Sequence, residues 1–132
     1  MQFMLDTNIC IYIIKKHPIQ VEKRFKAFKP FHIGISAITL AELEYGVAKS
    51  GRPEQNRDAL IGFLSPLEIA VFDDLAAFHY GEVRISLEKA GNPIGSMDLM
   101  IASHARSLSV PLVTNNVREF EKVPGLKVEN WI

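Results

Sequence analysis

Five short apolar runs punctuate the chain: Gln2–Leu5, His32–Ile35, Leu67–Phe72, Pro111–Thr114 and, more weakly, Leu126–Val128. Runs of this length, bounded by polar and turn residues, predict β-strands. The stretches between them, Asn8–Lys16, Ile19–Phe28, Ala37–Ser50, Pro53–Leu64, Leu75–Ala90 and Met97–Leu108, carry their apolar residues at helical spacing. In Leu75–Ala90, for example, Ala76, Tyr80, Val83 and Leu87 fall on one face, the face expected to meet a sheet. Strands separated by helices require crossover connections. The pattern therefore predicts an α/β chain of three layers, α/β/α, around a mainly parallel central sheet of four to five strands.

Residues at the predicted boundaries agree with this reading. Ser36 suits the N-cap of the third helix, where its hydroxyl can take an orphan backbone N–H. Pro53 suits the first turn of the fourth, where its missing N–H costs nothing. Asp73 or Asp74 can cap the fifth, and Gly91 can supply the left-handed residue that ends it. Gly91-Asn92-Pro93-Ile94-Gly95 then reads as a tight loop into the last long helix.

Composition narrows the class. A chain of 132 residues, 48% hydrophobic and 23% charged, is expected to fold as one domain spanning 1–132. Asp6 and Asn8 interrupt the first apolar stretch and Lys15 and Lys16 follow it, which is not the layout of a signal peptide. No segment approaches the roughly 18 consecutive apolar residues of a membrane span. Cys10 is the only cysteine, so neither an internal disulfide nor a Cys-based metal site is available, and a cytoplasmic setting fits. The 15 basic and 15 acidic residues cancel, but they are unevenly placed. Lys15, Lys16, Lys23, Arg24, Lys26 and Lys29 face Glu22 alone between residues 15 and 29. That run is either a solvated helix face or a positive surround for a polyanion.

Four polar positions carry candidate chemistry. Asp6 ends the first strand in Met4-Leu5-Asp6-Thr7-Asn8, at the carboxyl edge of the sheet where open α/β folds bind ligands. Glu42 lies two turns into the helix after the second strand, with Thr39 on the same face. Asp98 stands at the start of an apolar helix. Leu112-Val113-Thr114 ends in Asn115-Asn116 at a second strand terminus. Taken singly, Asp6 and Asp98 can be helix N-caps, Glu42 a surface acid, and the asparagines turn residues. Taken together, they project onto one edge of the sheet. Carboxylates gathered there repel by about 3 kcal/mol per pair at ~5 Å and an effective dielectric near 20. Such a cluster either holds protons or binds a hard cation such as Mg²⁺ or Mn²⁺. The four histidines lack the spacing of a zinc pair, His104 reads as a packed helix residue, and no nucleophile elbow or phosphate-binding glycine loop occurs.

Four segments in order, Met4–Asn8, Ser36–Leu43, Pro93–Asp98 and Val113–Phe120, resemble the PIN-domain family, and more narrowly its VapC toxins from bacterial toxin–antitoxin modules. The similarity runs nearly end to end and includes Glu129-Asn130-Trp131. It implies a PIN-like fold and an Mg²⁺-dependent endoribonuclease, Mn²⁺ being a possible substitute. The catalytic residues it implies are Asp6, Glu42, Asp98 and Asn116, with Asp6 and Asp98 as metal ligands. Thr7 and Thr39 are implied to support carboxylates and waters. The family often has a fourth acid where this chain has Asn116, and Glu119, three residues on, is a further carboxylate within reach. The resemblance also implies a tRNA substrate (the anticodon stem-loop of initiator tRNA) and a homodimer. It implies a VapB-like antitoxin too, through which a larger complex binds operator DNA. Apolar surface around Ile11, Ile14 and Leu43 is the candidate antitoxin groove, although the same residues can be core.

Two other classes remain open on the residues alone. An aspartate-based phosphatase or phosphoacceptor domain would use Asp6 as nucleophile, but Asn8 stands where haloacid-dehalogenase-like enzymes place a second acid. A non-catalytic RNA- or protein-binding module on the same fold would accommodate Asn116.

Overall fold

A computed structural model describes all 132 residues. The first strand, β1 (Phe3–Leu5), leads directly into α1 (Thr7–Lys15), followed by α2 (Ile19–Lys26) and one 3₁₀ turn at Pro30–His32. Next come β2 (Ile33–Ser36), α3 (Ala37–Ala48), α4 (Pro53–Leu64) and β3 (Glu68–Ala70). The chain closes with α5 (Asp74–Lys89), α6 (Ser96–Ser107), β4 (Leu112–Val113), the short α7 (Val117–Phe120) and β5 (Val128–Glu129).

All four strand pairings are parallel, in the order β3-β2-β1-β4-β5. The sheet is thus wholly parallel and five-stranded, as expected of the predicted three-layer α/β/α class. Alternation along each strand sends neighbours to opposite faces. Leu5, Ile33, Ile35 and Val113 point to the side covered by α1 to α4, where Ile9, Cys10, Leu43, Leu60 and Trp131 complete one core. Met4 and Leu112 point to the other side, against Val83 and Leu87 of α5, Ile101 and Ala105 of α6, and Phe120. On α5, Ala76, Val83 and Leu87 are buried and Tyr80 is half-buried, the face its periodicity predicts.

Local chemistry sets the boundaries. Ser36 Oγ accepts from Ile38 N–H at 3.0 Å and Asp73 Oδ1 from Ala76 N–H at 2.9 Å, each capping its helix. Gly91 takes φ +72° just beyond α5, a backbone state that other residues adopt at a cost. Gly34 is needed for another reason: a Cβ there would stand 2.8 Å from the Glu68 carbonyl on the neighbouring strand. No helix is long and apolar enough to cross a membrane.

The strand order reverses between β1 and β4. Chains leaving these two strands diverge and open a crevice at their carboxyl ends, the usual ligand position in such sheets. Asp6 follows one strand and Thr114-Asn115-Asn116 the other.

Candidate active site

Asp6 is 5% exposed and has two duties. Its Oδ1 accepts Ile9 N–H at 2.9 Å, so it is the N-cap of α1. The Thr114 hydroxyl donates to the same carboxylate. Burial raises its pKa, those two hydrogen bonds oppose the rise, and the charge of Glu42 adds to it. Thr114 also accepts Asn116 N–H at 3.0 Å, so one buried threonine braces both strand ends.

Glu42 points from α3 toward this crevice. Its Oε1 accepts the Thr7 hydroxyl at 2.5 Å, and Thr39 Oγ1 lies 3.5 Å from that hydroxyl, fully buried beneath it. Thr7 is the first residue of α1 and Thr39 the third of α3, so two helix N-termini meet at this point.

Asp98 is not a helix cap. The helix starts two residues earlier, with Gly95 at the N-cap and Asp98 third in the first turn, leaving its carboxylate free of capping. Partial burial first, then the charges of Glu119, Glu42 and Asp6, push its pKa from 3.8 to about 6. The structure therefore brings Asp6, Glu42, Asp98 and Glu119 into one electrostatic neighbourhood, and none of the four joins an ion pair.

Asn116 is exposed, and its φ of −93° is not the left-handed turn geometry open to asparagine. Its side-chain amide donates to Glu119 Oε2 at 2.7 Å, one turn along α7. The amide thus holds the carboxylate that bears most strongly on Asp98 among its charged neighbours. Asn115 instead reaches back to α1, donating to the Tyr12 hydroxyl at 3.1 Å.

His104 lies outside the carboxylate group. It is 1% exposed, packed edge-on to Phe72, with Nδ1 2.7 Å from Ser36 Oγ. Its other ring nitrogen bonds the Val71 backbone. The Val71 carbonyl can only accept, so Nε2 carries the proton and Nδ1 of the neutral ring accepts the Ser36 hydroxyl hydrogen, in line with a pKa lowered by burial. This histidine ties the ends of β2 and β3 to α6.

The donor set is all oxygen. No three carboxylates close into a finished coordination shell. Mg²⁺ keeps several waters and takes one or two carboxylates, so it does not require three. Unpaired carboxylates whose charges help raise the pKa of Asp6 and Asp98 are also what a divalent cation relieves.

Beside Glu42 runs an apolar cleft of about 290 Å³ between α1, α3 and α4, lined by Ile11, Ile14, Leu43, Gly46, Ala59 and Leu60, with Lys15 at its edge. Leu43 is core at 6% exposure, whereas Ile11 and Ile14 are half-buried. These residues both pack against the core and line the cleft.

An open parallel sheet with an acidic crevice at its switch point defines a class of α/β proteins that take a ligand at the carboxyl ends of their strands. A PIN domain profile matches residues 3–126. Ribonuclease VapC2 of Rickettsia felis is 51% identical over 132 residues, covering 99% of this chain and 98% of its own. The tRNA(fMet)-specific endonuclease VapC of Salmonella typhimurium is 47% identical over 131 residues, with 99% and 98% covered. The crystal structure of VapBC2 from Rickettsia felis bound to a promoter DNA fragment superposes with a TM-score of 0.93 at 48% identity, covering 100% of both chains. The chain belongs to the PIN-domain family, in its VapC ribonuclease branch.

Proposed function

We propose that this chain, acting as one PIN domain over residues 1–132, is the Mg²⁺-dependent endoribonuclease toxin of a VapBC pair. On this reading it stops translation in the cytoplasm by cutting initiator tRNA in the anticodon stem-loop. The observation that carries the reading is the convergence of Asp6, Glu42, Asp98 and Glu119 at the sheet's switch point without a single cationic partner. The substrate rests on the relative named for tRNA(fMet).

Asp6 and Asp98 would hold the ion, and Mn²⁺ can replace Mg²⁺. When bound, the ion supplies a readied water and offsets charge building on the phosphodiester. Asp6 is fixed for this duty by Ile9 N–H and Thr114. Glu42 has one oxygen committed to Thr7, which leaves the other to accept a proton from the attacking water. Asn116 keeps Glu119 turned toward Asp98, so the amide serves where the family often has an acid. Thr39 seats the Thr7 hydroxyl from below.

The partners follow from surfaces. A VapB-like antitoxin would lay an apolar segment in the cleft of Ile11, Ile14 and Leu43 and reach the acids with a basic side chain. A second copy of the chain would cover Leu75, Phe78 and Ile85, exposed at 50%, 62% and 49% along one side of α5. Operator DNA would be held through the antitoxin, as the promoter-bound relative suggests.

Mapping cleavage of total RNA by wild type and Asp6→Asn, with Mg²⁺ and with EDTA, tests the reading. Cuts at one tRNA site that need both Asp6 and the ion support it. Equal cutting by a folded Asp6→Asn protein rejects it.

A further inference from the structure

Tyr45 is the only aromatic residue of α3, and it is 65% exposed and belongs to neither core. Ile38, Glu42, Tyr45 and Lys49 are spaced four, three and four residues apart, so they form one stripe along the helix. Contacts fix where that stripe runs. Ile38 packs into the core that holds Leu99 and Ile101 of α6. Glu42 comes next, with its carboxylate on the hydroxyl of Thr7, the residue that follows Asp6. At the far end Lys49 Nζ lies 4.8 Å from the centre of the Tyr45 ring. The apolar cleft opens on the other flank of Glu42, toward Leu43 and Gly46. Lys49 joins no ion pair, and the acid beside Tyr45, Glu44, is engaged by Arg57 of α4 at 2.6 Å.

We propose that Tyr45 and Lys49 form a nucleotide subsite on α3, where the ring stacks on an unpaired base beside the scissile phosphate and the ammonium holds an adjacent phosphate. This rests on the ribonuclease reading and deepens it. Carboxylates at a reaction centre repel RNA, and a chain of zero net charge supplies no general attraction. Groups next to the acids must therefore hold the strand. An uncharged ring does so by stacking, which every base permits, and loop bases are free to take part. A lysine contacts phosphate without reading sequence. Its contact with the ring is within cation–π range, so ring and ammonium are held as a pair. Three residues of helix, about 4.5 Å along the axis, separate Glu42 from Tyr45, so the base gripped is a close neighbour of the bond being cut.

The test measures binding of an initiator tRNA transcript across a salt series, in an Asp6→Asn background that leaves the RNA uncut. Tyr45→Ala is expected to weaken binding about fivefold to a hundredfold with an unchanged log–log salt slope, because a neutral ring releases no counterions. Tyr45→Trp keeps the affinity, whereas Tyr45→Leu, apolar but not flat, does not. Lys49→Gln makes the slope shallower by about 0.7 to 0.9. With Asp6 intact, kcat/KM on the same tRNA falls in Tyr45→Ala by the factor seen in binding. Both side chains are exposed, so these variants should melt at the wild-type temperature. Equal binding by Tyr45→Ala and the parent overturns the subsite and leaves the ribonuclease reading standing. Full activity in Tyr45→Leu, dissociation of a dimer in Tyr45→Ala, or a loss confined to antitoxin capture also overturns it, making Tyr45 a protein contact. A wild-type protein that neither binds nor cuts tRNA rejects the substrate reading and the subsite together.

Discussion

Asp98→Asn is expected to stabilise the metal-free protein at pH 8. The wild-type carboxyl has its pKa raised from 3.8 to about 6 by burial and by Glu119, Glu42 and Asp6. A raised folded-state pKa means that the native state binds the proton more tightly than the unfolded chain does. Its contribution to stability is therefore present below 3.8 and lost as pH rises through 6. A shift of that size corresponds to about 3 kcal/mol at most. The side chain is only partly buried, and solvent screening reduces the figure to roughly 1 kcal/mol. Asparagine keeps the shape and removes the charge, so the variant should gain that amount at pH 8 in EDTA, or about 3 to 5 °C in Tm. At pH 4.5 most of the difference disappears, because the folded wild type already holds its proton. Adding Mg²⁺ at pH 8 should narrow the gap by stabilising the wild type alone. Thermal melts at the two pH values, with EDTA and with Mg²⁺, decide the matter. A variant no more stable than wild type at pH 8 in EDTA would refute the account of mutually repelling carboxylates.

Ser36→Ala removes the cap on Ile38 N–H and orphans the buried Nδ1 of His104, at an expected cost of about 2 to 3 kcal/mol in urea unfolding, with cleavage per folded molecule unchanged. Gly46→Leu projects a side chain into the cleft, where a Cβ meets nothing within 4 Å. It should leave tRNA cleavage by the free protein intact and weaken antitoxin capture by about tenfold or more, read by calorimetry.

Much of this architecture is legible because its signals are long and repeated. Six helices and five strands follow from periodicity, displaced by a residue or two at their ends. The 3₁₀ turn and α7 escape because three or four residues cannot display a period. The Leu67–Phe72 run yields only Glu68–Ala70 as strand: β3 is an edge strand with one neighbour, and Val71 lies 74% exposed. Within the site, Asp6, Glu42 and Asp98 announce themselves as polar breaks in apolar surroundings. Whether Asp98 caps a helix depends on where the helix begins, and Gly95 settles that in three dimensions. The brace made by Thr114 had only a faint signal, a threonine closing a buried strand ahead of two asparagines. The amide of Asn116 resting on Glu119 is an (i, i+3) contact that depends on the unforeseen short helix.

The cap that Asp6 places on α1 has a consequence for how such a protein can be disarmed. Alanine at position 6 removes the proposed ion ligand and unfastens the helix that carries Thr7 and the cleft-lining isoleucines. A harmless phenotype from that substitution therefore conflates lost chemistry with a loosened scaffold. Asparagine can still accept Ile9 N–H while withdrawing the charge. On the proposed reading it is the substitution expected to silence the reaction while keeping the cleft that an antitoxin would recognise. Natural inactive copies that retain partner binding are expected to arise by this single exchange more readily than by truncating the side chain.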